Sequence, residues 1–361
     1  MVSNSLRSKN YMKVNKSISI VLFLLLLVFN GCGLFDNNET QTEEVLYPVL
    51  VSGQWGYINE TGSIAIQPQF QIANKFSEGL AAVRYNWRWM YINETGEPEI
   101  DGNGVYQALG DFNEGLGAVQ IESRIGFMNK EAEFIINPRF RNVTQFSDKR
   151  SFVRSLNYRR YHFIDENGEE IPMPAGIDSF DNESDSYFSN KRALVHYNDR
   201  YGYIDTEGTV IVQNIYQEAL PFSENLAAVK VSDRWGFIDT NGDMEITPQF
   251  VSVGSFNDDR AAVRKTSNLF GFINSKAEMI ISEQFEEVRD FSEGLAAVKL
   301  GEKWGFIDVD GVTIVTPQFD AVDDFYQELG RFMVLIPTED GQDEAFGYVN
   351  KEGKIIWPAT R

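Results

Sequence analysis

The sequence predicts an all-β protein of about nine similar units, stacked as an open, curved β-solenoid. Three observations predict this fold. An aromatic-glycine-aromatic segment recurs along the chain, its copies are 34 to 42 residues apart, and further strand-like segments flank each copy. Repeats of this length are typical of supersecondary units that bury their apolar faces only by stacking. The nine anchor residues are Trp55, Trp89, Ile125, Tyr161, Tyr201, Trp235, Phe270, Trp304 and Phe346.

Each unit of about 35 residues is predicted to be a meander of three antiparallel strands. The copy at residues 222–250 reads FSENLAAVKVSDRWGFIDTNGDMEITPQF, in which the strands are LAAVKV, WGFID and MEIT. The pair SD suits a tight hairpin, and the Asp-x-x-Gly pattern suits a type I turn. Proline in TPQF is expected to end the third strand, because it cannot donate a ladder hydrogen bond. The segment that follows, up to the next FSEG, is predicted to connect one unit to the next.

The recurring tryptophan-glycine pairs are predicted to be structural. They are Trp55-Gly56, Trp235-Gly236 and Trp304-Gly305. Glycine weakens a strand, so its recurrence beside an aromatic residue indicates that a neighbouring backbone or ring lies against that position.

The motifs WG-[YF]-I-[DN]-x-x-G, PQF and FSEGLAAV together resemble the WG-repeat family, also called KWG repeats, of bacterial envelope and secreted proteins. The resemblance extends from Leu46 to the C-terminus and implies an all-β array with no catalytic residues to transfer. Met90 replaces the glycine of the second unit, Ile125 replaces a tryptophan, and the fourth unit lacks PQF. A closed, propeller-like ring is the alternative fold, although propeller blades usually have four strands and number four to eight.

The first 31 residues read as a secretory signal peptide. Four basic residues precede an apolar run, ISIVLFLLLLVF, that is too short to span a bilayer. The run leads to Cys32, the single cysteine, in a context that resembles the cleavage box of bacterial lipoproteins. The resemblance implies that Cys32 is lipidated and that the protein is anchored in the bacterial envelope, at the outer membrane or cell surface. Residues 32–44 are then an acidic, flexible tether, and residues 45–361 form the repeat domain.

Charge and residue content exclude several classes of function. The net charge is −21, and it becomes −25 without the signal peptide, which carries four positive charges. A chain with this much negative charge is unsuited to binding nucleic acid, whose phosphates require lysine and arginine. With two histidines and one cysteine, the sequence contains no zinc-ligand spacing, phosphate loop or nucleophile elbow. We therefore predict no cofactor, no metal and no enzymatic activity.

One stretch of this acidic chain is basic. Between residues 139 and 162 the only acid is Asp148, and the units here depart from the repeat pattern. Arginine suits carboxylate and phosphate groups, so the stretch is a candidate anion- or partner-binding patch. Pairing with acids of adjacent units is the alternative. The candidate residues are Arg139, Arg141, Arg150, Arg154, Arg159 and Arg160.

Aromatic residues suggest a second candidate site. Trp87 and Trp89, in YNWRWMY, could stack on a sugar or a choline group, as aromatic hairpin repeats do in choline-binding proteins. Burial in the core is the alternative. The predicted function is a membrane-anchored, non-catalytic scaffold that binds an envelope protein or polysaccharide. The alternatives are a structural spacer with no specific ligand and a choline- or sugar-binding module.

Overall fold

The computed structural model describes residues 44–156, 161–173, 187–266, 268–338 and 341–361. Within these ranges, all regular secondary structure is β-strand. The 32 strands form eight sheets, in which strands that follow each other along the chain pair antiparallel. The all-β prediction is therefore confirmed. Each sheet consists of strands that are consecutive in the sequence.

The first three sheets cover the first half of the described chain. One sheet contains β1 (Leu46–Val51), β2 (Gln54–Asn59) and β3 (Ile64–Phe70). The next contains β4 (Ile72–Ala73), β5 (Ala81–Tyr85), β6 (Arg88–Ile92) and β7 (Pro98–Asp101). The third has six strands, β8 (Ala108–Asn113), β9 (Leu116–Ile121), β10 (Arg124–Met128), β11 (Phe134–Val143), β12 (Arg150–Ser155) and β13 (Tyr161–Asp165).

Five further sheets complete the chain. The fourth sheet contains β14 (Phe188–Ser189), β15 (Arg192–Tyr197), β16 (Arg200–Asp205) and β17 (Val210–Tyr216). The fifth contains β18 (Leu226–Val231), β19 (Arg234–Asp239) and β20 (Met244–Phe250). Then follow β21 (Ser252–Asn257), β22 (Arg260–Arg264), β23 (Phe270–Ile273) and β24 (Met279–Phe285). The last two sheets contain β25 (Glu287–Ser292), β26 (Leu295–Leu300), β27 (Lys303–Asp308) and β28 (Thr313–Phe319), and β29 (Ala321–Tyr326), β30 (Leu329–Thr338), β31 (Gly341–Asn350) and β32 (Ile355–Thr360).

Each sheet carries the repeat unit that the sequence predicts, and the six-stranded sheet carries two. We number the units 1 to 9 by their anchor residues. The segment leading into FSEG, predicted as a connection, instead forms a further strand in most units, as β25 does before β26. These added strands, here called inner strands, lie next to one another from sheet to sheet, as β21, β25 and β29 do. Five of the eight sheets therefore have four strands, and the sheets of units 1 and 6 keep the three strands that the sequence predicts.

A pair of aromatic rings joins each unit to the next. The second aromatic residue of WG-[YF], or its equivalent, is buried and packs edge-on or tilted against the phenylalanine at the first position of FSEG, or its equivalent, in the following unit. The centroid distances fall between 4.7 and 4.9 Å at all eight junctions. The pairs are Tyr57–Phe76, Tyr91–Phe112, Phe127–Phe146, Phe163–Phe188, Tyr203–Phe222, Phe237–Phe256, Phe272–Phe291 and Phe306–Phe325.

The acidic residue of FSEG makes a second recurring contact between units. Its carboxylate accepts a hydrogen bond from a backbone N–H in the corresponding turn of the next unit. Thus Asp258 binds the Gly294 N–H at 2.7 Å, and Glu224 binds the Asp259 N–H at 3.0 Å. Glu78, Glu114, Asp148 and Glu293 do the same. Each acid therefore holds a turn about one unit further along the chain.

The predicted open solenoid is wrong, because the last unit packs against the first. The Tyr348 hydroxyl donates to the Pro48 carbonyl at 2.9 Å, and its ring centroid lies 5.6 Å from that of Tyr47. Tyr47 in turn donates to the Gln327 carbonyl, and the Thr360 hydroxyl donates to the Leu50 carbonyl at 2.6 Å. The units thus form a closed ring, the arrangement of a β-propeller, which was the alternative prediction.

The segments that lead into FSEG in units 9 and 2 are also in contact. Tyr326 of unit 9 donates from its hydroxyl to the Phe76 carbonyl of unit 2 at 3.3 Å, and the Lys75 ammonium lies 4.3 Å from the Tyr326 ring centroid. This contact passes by the first sheet, which, like the sheet of unit 6, has no inner strand among the described residues. Side chains, not an exchanged strand, close the ring.

Antiparallel pairing gives the ring two distinct faces. The turns of FSEG and of Asp-x-x-Gly lie at one end of the sheets, which we call the turn face. The hairpins that precede the WG segments lie at the other end, which we call the hairpin face. Glu44 accepts a hydrogen bond from Asn59 at 2.7 Å, in the turn between β2 and β3. The chain therefore enters the ring at the turn face.

Candidate functional site

The tryptophan-glycine pairs lie within the packing of the sheets. Trp235 is buried, and Trp55 and Trp304 are partly buried against neighbouring core residues. A Cβ atom on Gly236 would lie 2.4 Å from the Ile246 carbonyl oxygen, and Gly56 and Gly305 face the equivalent carbonyls equally closely. The bulged third strand of the repeat causes this approach. A neighbouring backbone thus lies against the glycine, as its recurrence predicts.

Met90, which replaces the glycine in unit 2, supports this explanation. Its partner strand β7 lacks PQF, and β6 and β7 pair without the bulge opposite Met90. A long side chain is tolerated where the bulge is missing.

Cations cover the anchor aromatics from the paired strand. The Lys230 ammonium lies 5.8 Å from the Trp235 ring, and Lys299 lies at the same distance from Trp304. Arg264 stacks on Phe270 at 5.2 Å in the same way. Because their own chain supplies a cation, these rings are poor sites for a cationic ligand such as choline.

The two tryptophans of YNWRWMY have separate environments. Trp89 is partly buried and packs against the core of the second and third units. Trp87 lies at the tip of the hairpin between β5 and β6, and 75% of its surface is exposed. Its φ is +66°, in the left-handed region that favours glycine. Trp87 therefore neither fills the core nor suits its turn, and it is the candidate of the pair that a ligand could reach.

Around Trp87 lie two arginines and further apolar surface. The Arg84 guanidinium is 4.9 Å from the Trp87 ring centroid, and Arg88 follows Trp87 on the exposed side of the hairpin. Tyr85 pairs with Arg88 across the hairpin, and Ile72 pairs with Arg84 from the inner strand. Tyr85 and Ile72 are both exposed. We call these five residues the Trp87 surface.

The predicted arginine patch is divided among different environments. Arg139 donates to the Gly168 carbonyl, and Arg150 donates to the carbonyls of Thr206 and Lys149, both at 2.9 Å. Arg192 and Arg260 bind a carbonyl of a later unit in the same way, so these arginines join repeat units. Arg141 is exposed, and Arg154 stacks on Tyr161 at 5.2 Å. Arg159, Arg160 and Cys32 lie outside the described residues.

The inner strands carry carboxylates that the sequence analysis did not single out. Asp290 accepts a hydrogen bond from the Ser255 N–H at 3.3 Å, and Asp111 accepts one from Asn74 at 2.9 Å. Arg289 lies 3.7 Å from Asp324. Each contact joins the inner strands of two units. Their spacing of one repeat is the signal that could have found them.

The environment of Asp290 changes its acidity. Burial raises the pKa of this carboxyl to about 6, and the Ser255 hydrogen bond only partly opposes this, while Asp324 adds to it. Burial likewise raises the pKa of Asp324, and Arg289 opposes that rise. The ionised form of Asp290 is therefore disfavoured in the folded ring.

We expect Asp290→Asn to stabilise the protein above pH 7. The folded protein takes up a proton at Asp290 near pH 6, whereas the unfolded chain does so near 3.8, so ionised Asp290 lowers stability as the pH rises between these values. The variant should melt about 2 °C higher above pH 7, for a gain of about 1 kcal/mol. The gain should disappear below about pH 4. Thermal melts of both proteins from pH 4 to 8 measure it, and a pH-independent difference would contradict the assignment.

The described residues contain neither a metal-binding cluster nor a membrane-spanning helix. No group of three histidine, cysteine, aspartate or glutamate side chains there is placed to hold a metal ion. No helix there is long and apolar enough to cross a membrane.

The closed ring of radial sheets defines a β-propeller built from sequence repeats. Comparison with solved structures agrees: a crystal structure of the eukaryotic initiation factor aligns with 89% of this chain and 98% of its own, at 12% identity and a TM-score of 0.61. BamB from Moraxella catarrhalis aligns with 83% of this chain and 95% of its own, at 10% identity and a TM-score of 0.41. Dihydro-heme d1 dehydrogenase NirN in complex with DHE aligns with 88% of this chain and 74% of its own, at 11% identity and a TM-score of 0.46. Scores below 0.5 add nothing to the fold assignment.

The chain belongs to the family of proteins with the WG containing repeat. The family's model matches seven segments, at residues 55–86, 89–124, 125–158, 201–235, 235–268, 270–304 and 304–334. This confirms the resemblance noted from the motifs. A search of curated proteins finds no match to the sequence. Repeat family and propeller fold together indicate a binding scaffold.

Proposed function

We propose that the protein is a lipid-anchored, non-catalytic scaffold of the bacterial envelope, which binds an envelope glycan or protein at its hairpin face. The observation that carries this proposal is Trp87, a large aromatic residue exposed at a hairpin tip where the fold favours glycine. Exposed tryptophan and arginine are enriched where binding energy concentrates. The described catalytic-type groups, such as Asp290, instead join repeat units.

The position of the tether supports the choice of face. Residues 32–44 would lead from a lipidated Cys32 to the turn face, because Glu44 bonds to the turn of Asn59. The hairpin face lies at the opposite end of the sheets, away from the anchor. The hairpin face is then the one presented to a partner.

The Trp87 surface does not suit choline. A quaternary ammonium needs a cage of open aromatic faces, and Arg84 already places a cation beside the Trp87 ring.

Photo-cross-linking in intact cells tests the binding face. A benzophenone amino acid placed at Tyr85 or Tyr197, on the hairpin face, should give adducts, whereas the same group at Glu94 or Glu352, in turn-face loops, should give none. Adducts only from the turn face would overturn the choice of face. Adducts from neither face would favour a spacer with no specific ligand.

The anchor has its own test. Cys32→Ser should abolish incorporation of labelled palmitate and move the protein from the membrane fraction to the soluble fraction. An unchanged, membrane-bound variant would contradict the anchor and leave the binding proposal intact.

A further inference from the structure

The cation at the Trp87 surface lacks the carboxylate partner that the equivalent cations of units 6 and 8 have. Lys230 and Lys299, which occupy the position of Arg84 in units 6 and 8, pair with Glu218 and Glu287 at 2.5 and 2.6 Å. The residue paired with Lys299 is Glu287, whereas the residue paired with Arg84 is Ile72. Unit 2 therefore replaces the acid with an exposed apolar side chain and leaves the guanidinium without a carboxylate.

Arg84 is also short of hydrogen bonds. Its Nε atom is buried and has no hydrogen-bond partner among the described residues. Neither Arg84 nor Arg88 forms an ion pair within the described part of the chain. In a protein of net charge −21, two unpaired guanidinium groups beside an exposed indole are a local reversal of charge. They attract an anionic group, and the fork of a guanidinium matches a carboxylate in particular.

The exposed indole of Trp87 favours a ligand that has a flat apolar surface. Trp87 projects from a convex hairpin tip, and its ring is open on the side away from Arg84. A peptide hot spot is usually a desolvated pocket, whereas 75% of the surface of Trp87 itself is exposed. A sugar ring, in contrast, can lay its C–H face on a single exposed indole while its polar groups stay in water.

We propose that the Trp87 surface binds an acidic saccharide, in which a sugar ring stacks on Trp87 while its carboxylate pairs with Arg84 or Arg88. The inference rests on the proposed scaffold function and names the ligand class of its hairpin face. The net negative charge of the chain opposes a continuous polyanion. The fitting ligand therefore carries isolated carboxylated sugars separated by neutral ones.

Calorimetry with a defined oligosaccharide pair tests this inference. The probe is a hyaluronan-type tetrasaccharide, which alternates a uronate with a neutral amino sugar, and its control is the same tetrasaccharide with the carboxyl groups reduced to alcohols. We expect the full-length protein to bind the carboxylated form at least about tenfold more tightly, since a direct charge-assisted pair is worth about that factor.

Two variants locate the site. Trp87→Gly should weaken binding of the carboxylated probe at least about tenfold without lowering the melting temperature, because glycine suits the positive φ of this turn. Arg84→Met keeps the apolar stem and should reduce binding of the carboxylated probe toward that of the reduced one. Asp233→Gly makes the same kind of change in the matching turn of unit 6 and should leave binding unchanged.

The outcomes separate this inference from the proposed function. Equal binding of the two probes, binding that survives Trp87→Gly, or no binding of the carboxylated probe would overturn the acidic-saccharide assignment. Protein adducts from Tyr85 in the cross-linking experiment would then still support a scaffold, with an acidic peptide as its ligand. Loss of both results would remove the hairpin face as a binding surface.

Discussion

Tyr47→Ala should loosen the last sheet of the protein, although Tyr47 lies near the start of the folded chain. Its buried ring packs on Tyr348, and its hydroxyl binds the Gln327 carbonyl of unit 9. Removing a buried aromatic side chain costs about 3–5 kcal/mol. Amide hydrogen exchange of β31 and β32 should therefore accelerate more than about tenfold, which corresponds to about 1.4 kcal/mol.

A matched variant separates ring closure from general destabilisation. Phe256→Ala removes a ring of the same kind at the junction of units 6 and 7, where it packs on Phe237 at 4.8 Å. In the Phe256→Ala variant, amide hydrogen exchange should accelerate most in β19 to β22, and less in β31 and β32 than it does in Tyr47→Ala. If Tyr47→Ala instead loosens only the first sheet and leaves β31 and β32 fully protected, the ring is not held through this contact.

Gly236→Ala should destabilise the protein far more than an ordinary glycine-to-alanine change. The added methyl group would meet the Ile246 carbonyl oxygen at 2.4 Å and the Pro248 nitrogen at 2.8 Å. These are backbone atoms of a bulged strand, so relief requires the strand to move. Overpacking of this kind costs about 1–3 kcal/mol and more where the backbone resists, and we expect about 3 kcal/mol here.

Gly79→Ala is the control for this second prediction. Gly79 has a φ of +83°, but no atom lies within 4 Å of an added Cβ. Its substitution should cost about 1 kcal/mol through the left-handed backbone alone. Urea unfolding of the two variants measures both costs. Equal losses would show that the close approach of β20 does not explain the glycine in the WG motif.

The three-strand unit and its close-packed glycine could be predicted because they depend on neighbours within one unit. Gly236 faces Ile246, ten residues away, and the alternation of WGFID places Phe237 in the core. Repetition made these local relations visible in the sequence.

Ring closure could not be predicted in the same way. The inner strand β25 contains Arg289 and Asp290, and its pairing with β26 is interrupted by a bulge, so it has no alternating pattern. The acid of FSEG acts on a turn in the following unit, which a reading of one unit does not show. The closing contact joins Tyr348 to Pro48, some 300 residues apart, and no local period encodes the angle between units.

The predicted sites depended on long-range pairing as well. Arg139 and Arg150 look available in the sequence, yet each binds backbone carbonyls of a neighbouring unit. Trp87 could be recognised as aromatic from the sequence, but its exposure follows from a turn geometry that the surrounding residues do not reveal.

The way in which the ring closes has a mechanical consequence. Strand β1 makes the closing contacts with unit 9, and it is also the strand to which the N-terminal segment is joined. Because no strand of unit 9 pairs into the first sheet, only side chains resist separation there. Tension applied through the N-terminal segment therefore acts first on this seam. Under load we therefore expect the first and last sheets to separate before any sheet loses its strand pairing.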